Sequence, residues 1–130
     1  MLKTVISRQI ADKTNVWGNK NRNNIQLSDK QVEININACL NEFKLTQESE
    51  NKTRNKFKRD IFLEITYEDL VKDCQNRMNE IFKFLELEET TVKSSYKKQN
   101  KENIEDLVIN YNDLRLAIEK SKWSYILDLE

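Results

Sequence analysis

The 130-residue chain contains no histidine, no proline and one glycine, Gly18. Without histidine there is no Ser-His-Asp or Cys-His catalysis, no imidazole zinc site and no imidazole proton shuttle. Any acid-base work falls to carboxylates, lysines or tyrosines. With one glycine, neither a Walker-type phosphate loop nor a G-x-G-x-x-G dinucleotide turn can be written anywhere in these residues. Without proline, element boundaries have to be read from periodicity and from Asn, Asp and Ser.

Charge of one sign is also lacking: 22 Lys and Arg balance 22 Asp and Glu. A whole-surface attraction to nucleic acid or to an anionic membrane therefore has no basis in the totals, and neither is expected as a partner. Cys39 and Cys74 are widely spaced and belong to no C-x-x-C pair, so both are expected to be reduced thiols in a cytoplasmic protein without a secretory leader. No apolar run approaches the roughly 20 residues that span a bilayer, and no metal-ligand spacing is present. The length suits one ordinary domain or a piece of a larger one.

Helical periodicity carries most of what is there. Leu2, Val5, Ile6 and Ile10 recur on one face and predict an amphipathic helix through about Lys13. Residues 14–27, with Trp17, Gly18 and clustered Asn, read as a loop. Ser28 with Gln31 has the pattern of a capping box. Val32, Ile36, Cys39, Leu40 and Phe43 then share a face. Val32-Ile34-Ile36 also alternates like a strand, but Cys39-Leu40-Phe43 favours a helix. The polar run from Thr46 to Asp60 can continue it only as a solvated extension. Asp73 is placed to cap a helix carrying Met78, Ile81, Phe82 and Leu85. Ile104, Leu107, Val108, Tyr111, Leu114 and Ala117 define a further helical face, and Trp123, Tyr125, Ile126 and Leu127 form an apolar tail.

Ile61–Thr66, with Ile61, Leu63 and Ile65 on one face, is the one strand predicted. A lone strand cannot satisfy its own backbone, so it must pair with strands outside these residues, with another chain, or with a weak strand not evident from the pattern, and unpaired strand edges make a homo-oligomer one expectation. The fold class is thus α/β, mostly helical, with one short strand over about 61–66 and four or so helices.

The run Ile65-Thr66-Tyr67-Glu68-Asp69-Leu70, followed by Met78-x-x-Ile81-Phe82-x-Phe84-Leu85, resembles the C-terminal half of sulfotransferases that use 3′-phosphoadenosine-5′-phosphosulfate. In that family a strand ends in a Y-E-D-L box and the next helix ends in F-L-G-L. Asn110-Tyr111-Asn112-Asp113-Leu114 and Trp123 are similar to the tail of the bacterial branch. Ser7 to Ala11, with Thr14 and Trp17, resembles that branch's serine-bearing helix and T-x-x-W turn. Two departures stand out: Cys74 occupies a position where the family commonly has proline, and Glu86 the glycine of F-L-G-L, which predicts a different helix stop.

The resemblance implies that residues 1–130 form a single partial domain, the C-terminal half of a P-loop sulfotransferase. The phosphate-loop half and the arginine that accompanies the helix serine would lie ahead of Met1, and the isolated chain would be inactive. It also implies that Ser7 and Tyr67, with Lys97 and Lys98 in the run Lys97-Lys98-Gln99-Asn100-Lys101, contact the adenosine and 3′-phosphate of the nucleotide co-substrate. The acceptor is a hydroxyl or amine, and no catalytic residue can be assigned. Glu68 and Asp69 are adjacent and suit helix capping better than paired acid-base work. Trp17 suits either a pocket wall or a loop anchor. The rival reading is a small helical module for protein interaction or self-association, in which a continuous helix would run through 61–66.

Overall fold

A computed structural model describes residues 1–17, 25–58, 61–93 and 102–129. They fall into two compact units, Met1–Asn51 with Lys97–Glu130, and Lys52–Tyr96. No helix among the described residues is long and apolar enough to cross a membrane.

The first unit holds the core. Helix α1 (Leu2–Thr14) buries Leu2, Val5, Ile6, Ile10 and Ala11, the face that the spacing predicts. It ends at Asn15, whose φ of 54° is left-handed, a conformation that asparagine tolerates better than most residues. Ser28 lies inside a single turn, α2 (Leu27–Lys30), and starts no long helix.

The expected helix from Val32 is corrected here. Val32 forms an isolated parallel bridge with Val108: Val32 N–H donates to the Leu107 carbonyl and Ile109 N–H donates to the Val32 carbonyl, both at 2.9 Å. Val32 and Ile34 are buried while Glu33 is exposed, so the period of two, set aside in favour of the helix, governs these residues. The bridge wins because it satisfies backbone groups of both segments while putting Val32 and Val108 into the core.

Helix α3 (Ile36–Lys56) begins one turn later. The Asn35 side chain accepts from Ala38 N–H at 3.0 Å, and its carbonyl accepts from Cys39 N–H at 2.9 Å. Only Cys39 and Phe43 are buried on it, and its second half is the solvated extension that the polar run implies.

The face from Ile104 to Ala117 likewise splits in two. The short α4 (Ile104–Leu107) stops where Val108 turns extended (φ −110°, ψ 113°) to make the bridge, and α5 (Tyr111–Glu119) follows, burying Leu114 and Ile118. The tail closes as a 3₁₀ turn (Ser124–Leu129) with Trp123 and Ile126 buried. Lys30 Nζ meets the Glu102 carboxylate at 2.7 Å and ties α2 to the chain ahead of α4.

The second unit is small, and none of its described residues is fully buried. Ile61–Thr66 is neither helical nor paired, so the predicted strand has no ladder and the continuous helix of the rival reading is equally absent there. Among the described residues there is no sheet, and the expected α/β class is realised only in its helical part.

Two helices follow, α6 (Tyr67–Lys72) and α7 (Cys74–Phe84). The C-terminus of α7 is a complete reversed turn. Glu86 N–H reaches the Lys83 carbonyl at 3.2 Å and Leu87 N–H the Phe82 carbonyl at 2.8 Å, with Glu86 at φ 56°. The expected different stop does not occur: Glu86 adopts the left-handed conformation usually given to glycine.

Candidate nucleotide-binding residues

Ser7 sits in the middle of α1, on the exposed side opposite Val5, Ile6 and Ile10. The apolar stripe that packs this helix inward leaves Ser7 and Arg8 facing solvent. Arg8 donates to the Glu42 carboxylate of α3 at 3.0 Å, so its charge is already matched. Beside α1 lies a shallow groove of about 580 Å³, lined by Gln9, Asp12, Lys13, Gln31, Val32, Glu33 and Ile109 and open to solvent. Ser7 does not line it.

Tyr67 is the first residue of α6 and is 70% exposed. Local hydrogen bonding fixes its position. Thr66 Oγ1 accepts from Asp69 N–H at 3.1 Å and donates to the Asp69 carboxylate at 2.8 Å, which starts the helix one residue after Thr66. The Y-E-D-L run is thus the first turn of a helix, with Asp69 engaged in its cap and Glu68 exposed beside it. The pair does capping and helix-dipole work, as adjacent carboxylates at a helix start would.

The segment leading to Tyr67 is held from behind. Arg54 donates through Nε to both Glu64 carboxylate oxygens, at 3.1 and 3.0 Å, and its Nη2 also reaches Glu64. This fork holds the Glu64 carboxyl below the ordinary carboxylate range, first through the hydrogen bonds and then through the guanidinium charge. Sequence reading did not find it, since a spacing of ten residues across a break in helix carries no periodic signal.

Asp73 caps α7 as expected, accepting from Asn76 N–H at 3.5 Å and from Asn76 Nδ2 at 2.6 Å. Cys74, the family's proline position, opens that helix without disturbing the cap. On the far side of α7, the Gln75 amide holds the following chain: it donates to the Thr90 carbonyl and accepts from Val92 N–H, both at 3.0 Å.

Ser7 belongs to the first unit and Tyr67 to the second. Lys97 and Lys98 lie outside the described residues. Trp17 is 64% exposed and anchors no core. Among the described residues no cluster of Cys, Asp or Glu could hold a metal ion. Ser7 offers a hydroxyl donor and Tyr67 an accessible aromatic ring, groups of the kinds that suit a phosphate oxygen and a purine face.

Neither the curated proteins nor the solved structures provide a match to the chain. A family model described as "Sulfotransferase family" does match, over residues 5–91. That span runs from α1, through Ser7, past Tyr67 and the reversed turn of α7, and covers more than half of the chain. The chain therefore belongs to the sulfotransferase family.

Proposed function

We propose that the chain carries the adenosine and 3′-phosphate recognition elements of a bacterial, cytoplasmic sulfotransferase that uses 3′-phosphoadenosine-5′-phosphosulfate. In the parent reaction an acceptor hydroxyl or amine attacks the sulfur. The bond from sulfur to the bridging phosphate oxygen breaks, 3′-phosphoadenosine-5′-phosphate leaves, and the acceptor proton passes to a base. That chemistry requires cationic donors around the bridging oxygen, and the phosphate-loop half that would bring them is a separate part of a P-loop sulfotransferase-like fold.

The observation that carries the reading is the family match across both Ser7 and Tyr67, with each side chain exposed on a capped or amphipathic helix. Ser7 is assigned to the 3′-phosphate and Tyr67 to the adenine face. Lys97 and Lys98 act as point charges near the 3′-phosphate, without the fork geometry of arginine. Their place in the chain, after the matched span, follows the family's basic loop.

The test is an amide NMR titration of the full-length parent, phosphate-loop half included, with 3′-phosphoadenosine-5′-phosphate, using adenosine 5′-phosphate as the control. Expected are shifts at Ser7, Tyr67 and residues 97–98 that are weaker without the 3′-phosphate. Replacing Tyr67 by Ala should cost about 1–3 kcal/mol of binding, the range for a base stacked on an aromatic ring. A spectrum unmoved by millimolar nucleotide, or moved only elsewhere, would overturn the assignment.

A further inference from the structure

Tyr67 has few constraints of its own. Its helix, α6, is six residues long and fully buries none of them, and the ring is 70% exposed. Packing therefore does little to fix where the ring stands. A ring that is to lie against a base has to be held within about 0.5 Å and roughly 10–20° of the productive pose by contacts behind it.

Two such contacts stand next to it in the chain. The Thr66 side chain sets the first turn of α6. Three residues ahead of Tyr67, the Glu64 carboxylate accepts from Nε of Arg54 on both oxygens and from Nη2 as well. Arg54 stands in the last turn of α3 and belongs, like Glu64 and Tyr67, to the second unit. The planar guanidinium matches the two carboxylate oxygens, so the pair fixes direction as well as distance, which the point charge of a lysine would not do. Both side chains are about half exposed, at 45% and 50%. An exposed pair adds little to overall stability, so losing this one shifts the chain it holds without unfolding the unit.

We propose that Arg54 is a positioning residue of the nucleotide site: its fork on Glu64 fixes the backbone that presents the Tyr67 ring to the adenine. The proposal rests on the assignment of Tyr67 to the adenine. It adds to that assignment a residue that acts on the ligand only through Tyr67.

Calorimetry of the full-length parent with 3′-phosphoadenosine-5′-phosphate tests it. Arg54→Ala should raise Kd about fivefold. Glu64→Ala should raise it by a similar factor, whereas an Arg54 that merely lent its charge to an anionic ligand would predict tighter binding once the carboxylate is gone. Arg54→Lys keeps the charge, loses the fork and should recover less than half of the loss. Arg54→Glu combined with Glu64→Arg rebuilds the pair and should recover most of it, a rescue that a misfolded single variant could not explain. In a Tyr67→Ala background, Arg54→Ala should weaken binding no further. If Tyr67→Ala binds like wild type, the adenine assignment falls and the positioning role falls with it. If Tyr67→Ala weakens binding while Arg54→Ala does not, if Glu64→Ala tightens it, or if the losses from Arg54→Ala and Tyr67→Ala add in full, the positioning role alone is overturned.

Discussion

The carboxamide of Asn110 accepts from Ile34 N–H and donates to the Ile34 carbonyl, both at 2.9 Å. One side chain thereby continues the Val32–Val108 bridge beyond the point where the second backbone turns away into α5. The residue at the head of the N-Y-x-x-L run serves here as a substitute strand. It makes no side-chain cap for its own helix.

Replacing Asn110 by Ala should therefore destabilise the first unit by about 2–3 kcal/mol, the cost of two lost hydrogen bonds and of leaving half-buried backbone groups unpaired. Asn110→Asp keeps the acceptor but loses the donor, and should fall between wild type and Ala. Urea midpoints followed by far-ultraviolet circular dichroism measure both. Equal midpoints for Asn110→Ala and wild type would show that water replaces the amide at no cost.

Glu86 holds a left-handed backbone with a side chain that gains nothing from it. Glu86→Gly should stabilise the turn after α7 by up to about 1 kcal/mol, the relief of the Cβ penalty less the greater freedom of glycine in the unfolded chain. Hydrogen exchange of the Leu87 amide, which donates to Phe82, should slow in the variant. Faster exchange would mean that glycine's extra freedom in the unfolded chain outweighs the relief.

Burial pushes the Cys39 thiol up to about 11, with the Glu42 carboxylate adding to the effect. The folded value lies above the ordinary 9.0, so the neutral thiol is favoured by folding. This contribution to stability is fully present below about pH 9 and is lost as pH rises toward 11. Cys39→Ala should flatten the alkaline decline in stability across that window. At pH 8 iodoacetamide should modify Cys74 and leave Cys39 intact until denaturant is added, as peptide mapping would show.

Phe43 and Trp123 meet edge to face, with ring centroids 5.9 Å apart and planes at 73°, and Lys122 Nζ lies 4.4 Å from the indole centre. Phe43→Ala should cost about 3–5 kcal/mol, a large part of the total for a domain of this size. The same geometry gives an optical signature, because Trp123 is 3% exposed and Trp17 64%. Trp17→Phe should leave a blue-shifted emission resistant to iodide. Efficient quenching in that variant would place Trp123 at the surface.

The helices that could be read from sequence are those whose apolar stripe is longer than their interruptions. α1 and the Cys39–Phe43 part of α3 announce themselves because Leu2, Val5, Ile6 and Ile10, and then Cys39 and Phe43, recur at the helical period over a full face. Asp73 and α7 were legible for a local reason, since an N-cap and its helix lie within a few residues. Ser7 and Tyr67 could be singled out only through resemblance. An exposed serine or tyrosine on a helix has no pattern of its own.

Local spacing and capping chemistry thus determined where most helices form, which faces turn inward, and that neither histidine chemistry nor a glycine-rich phosphate loop is present. Tertiary structure decided the rest. Val32 and Ile34 leave the helical pattern because Val108 and Asn110, some 76 positions further along, supply the hydrogen bonds that hold them extended. Ile61–Thr66 forms neither helix nor ladder, because a strand exists only where a second backbone meets it, and within the described part of this chain none does.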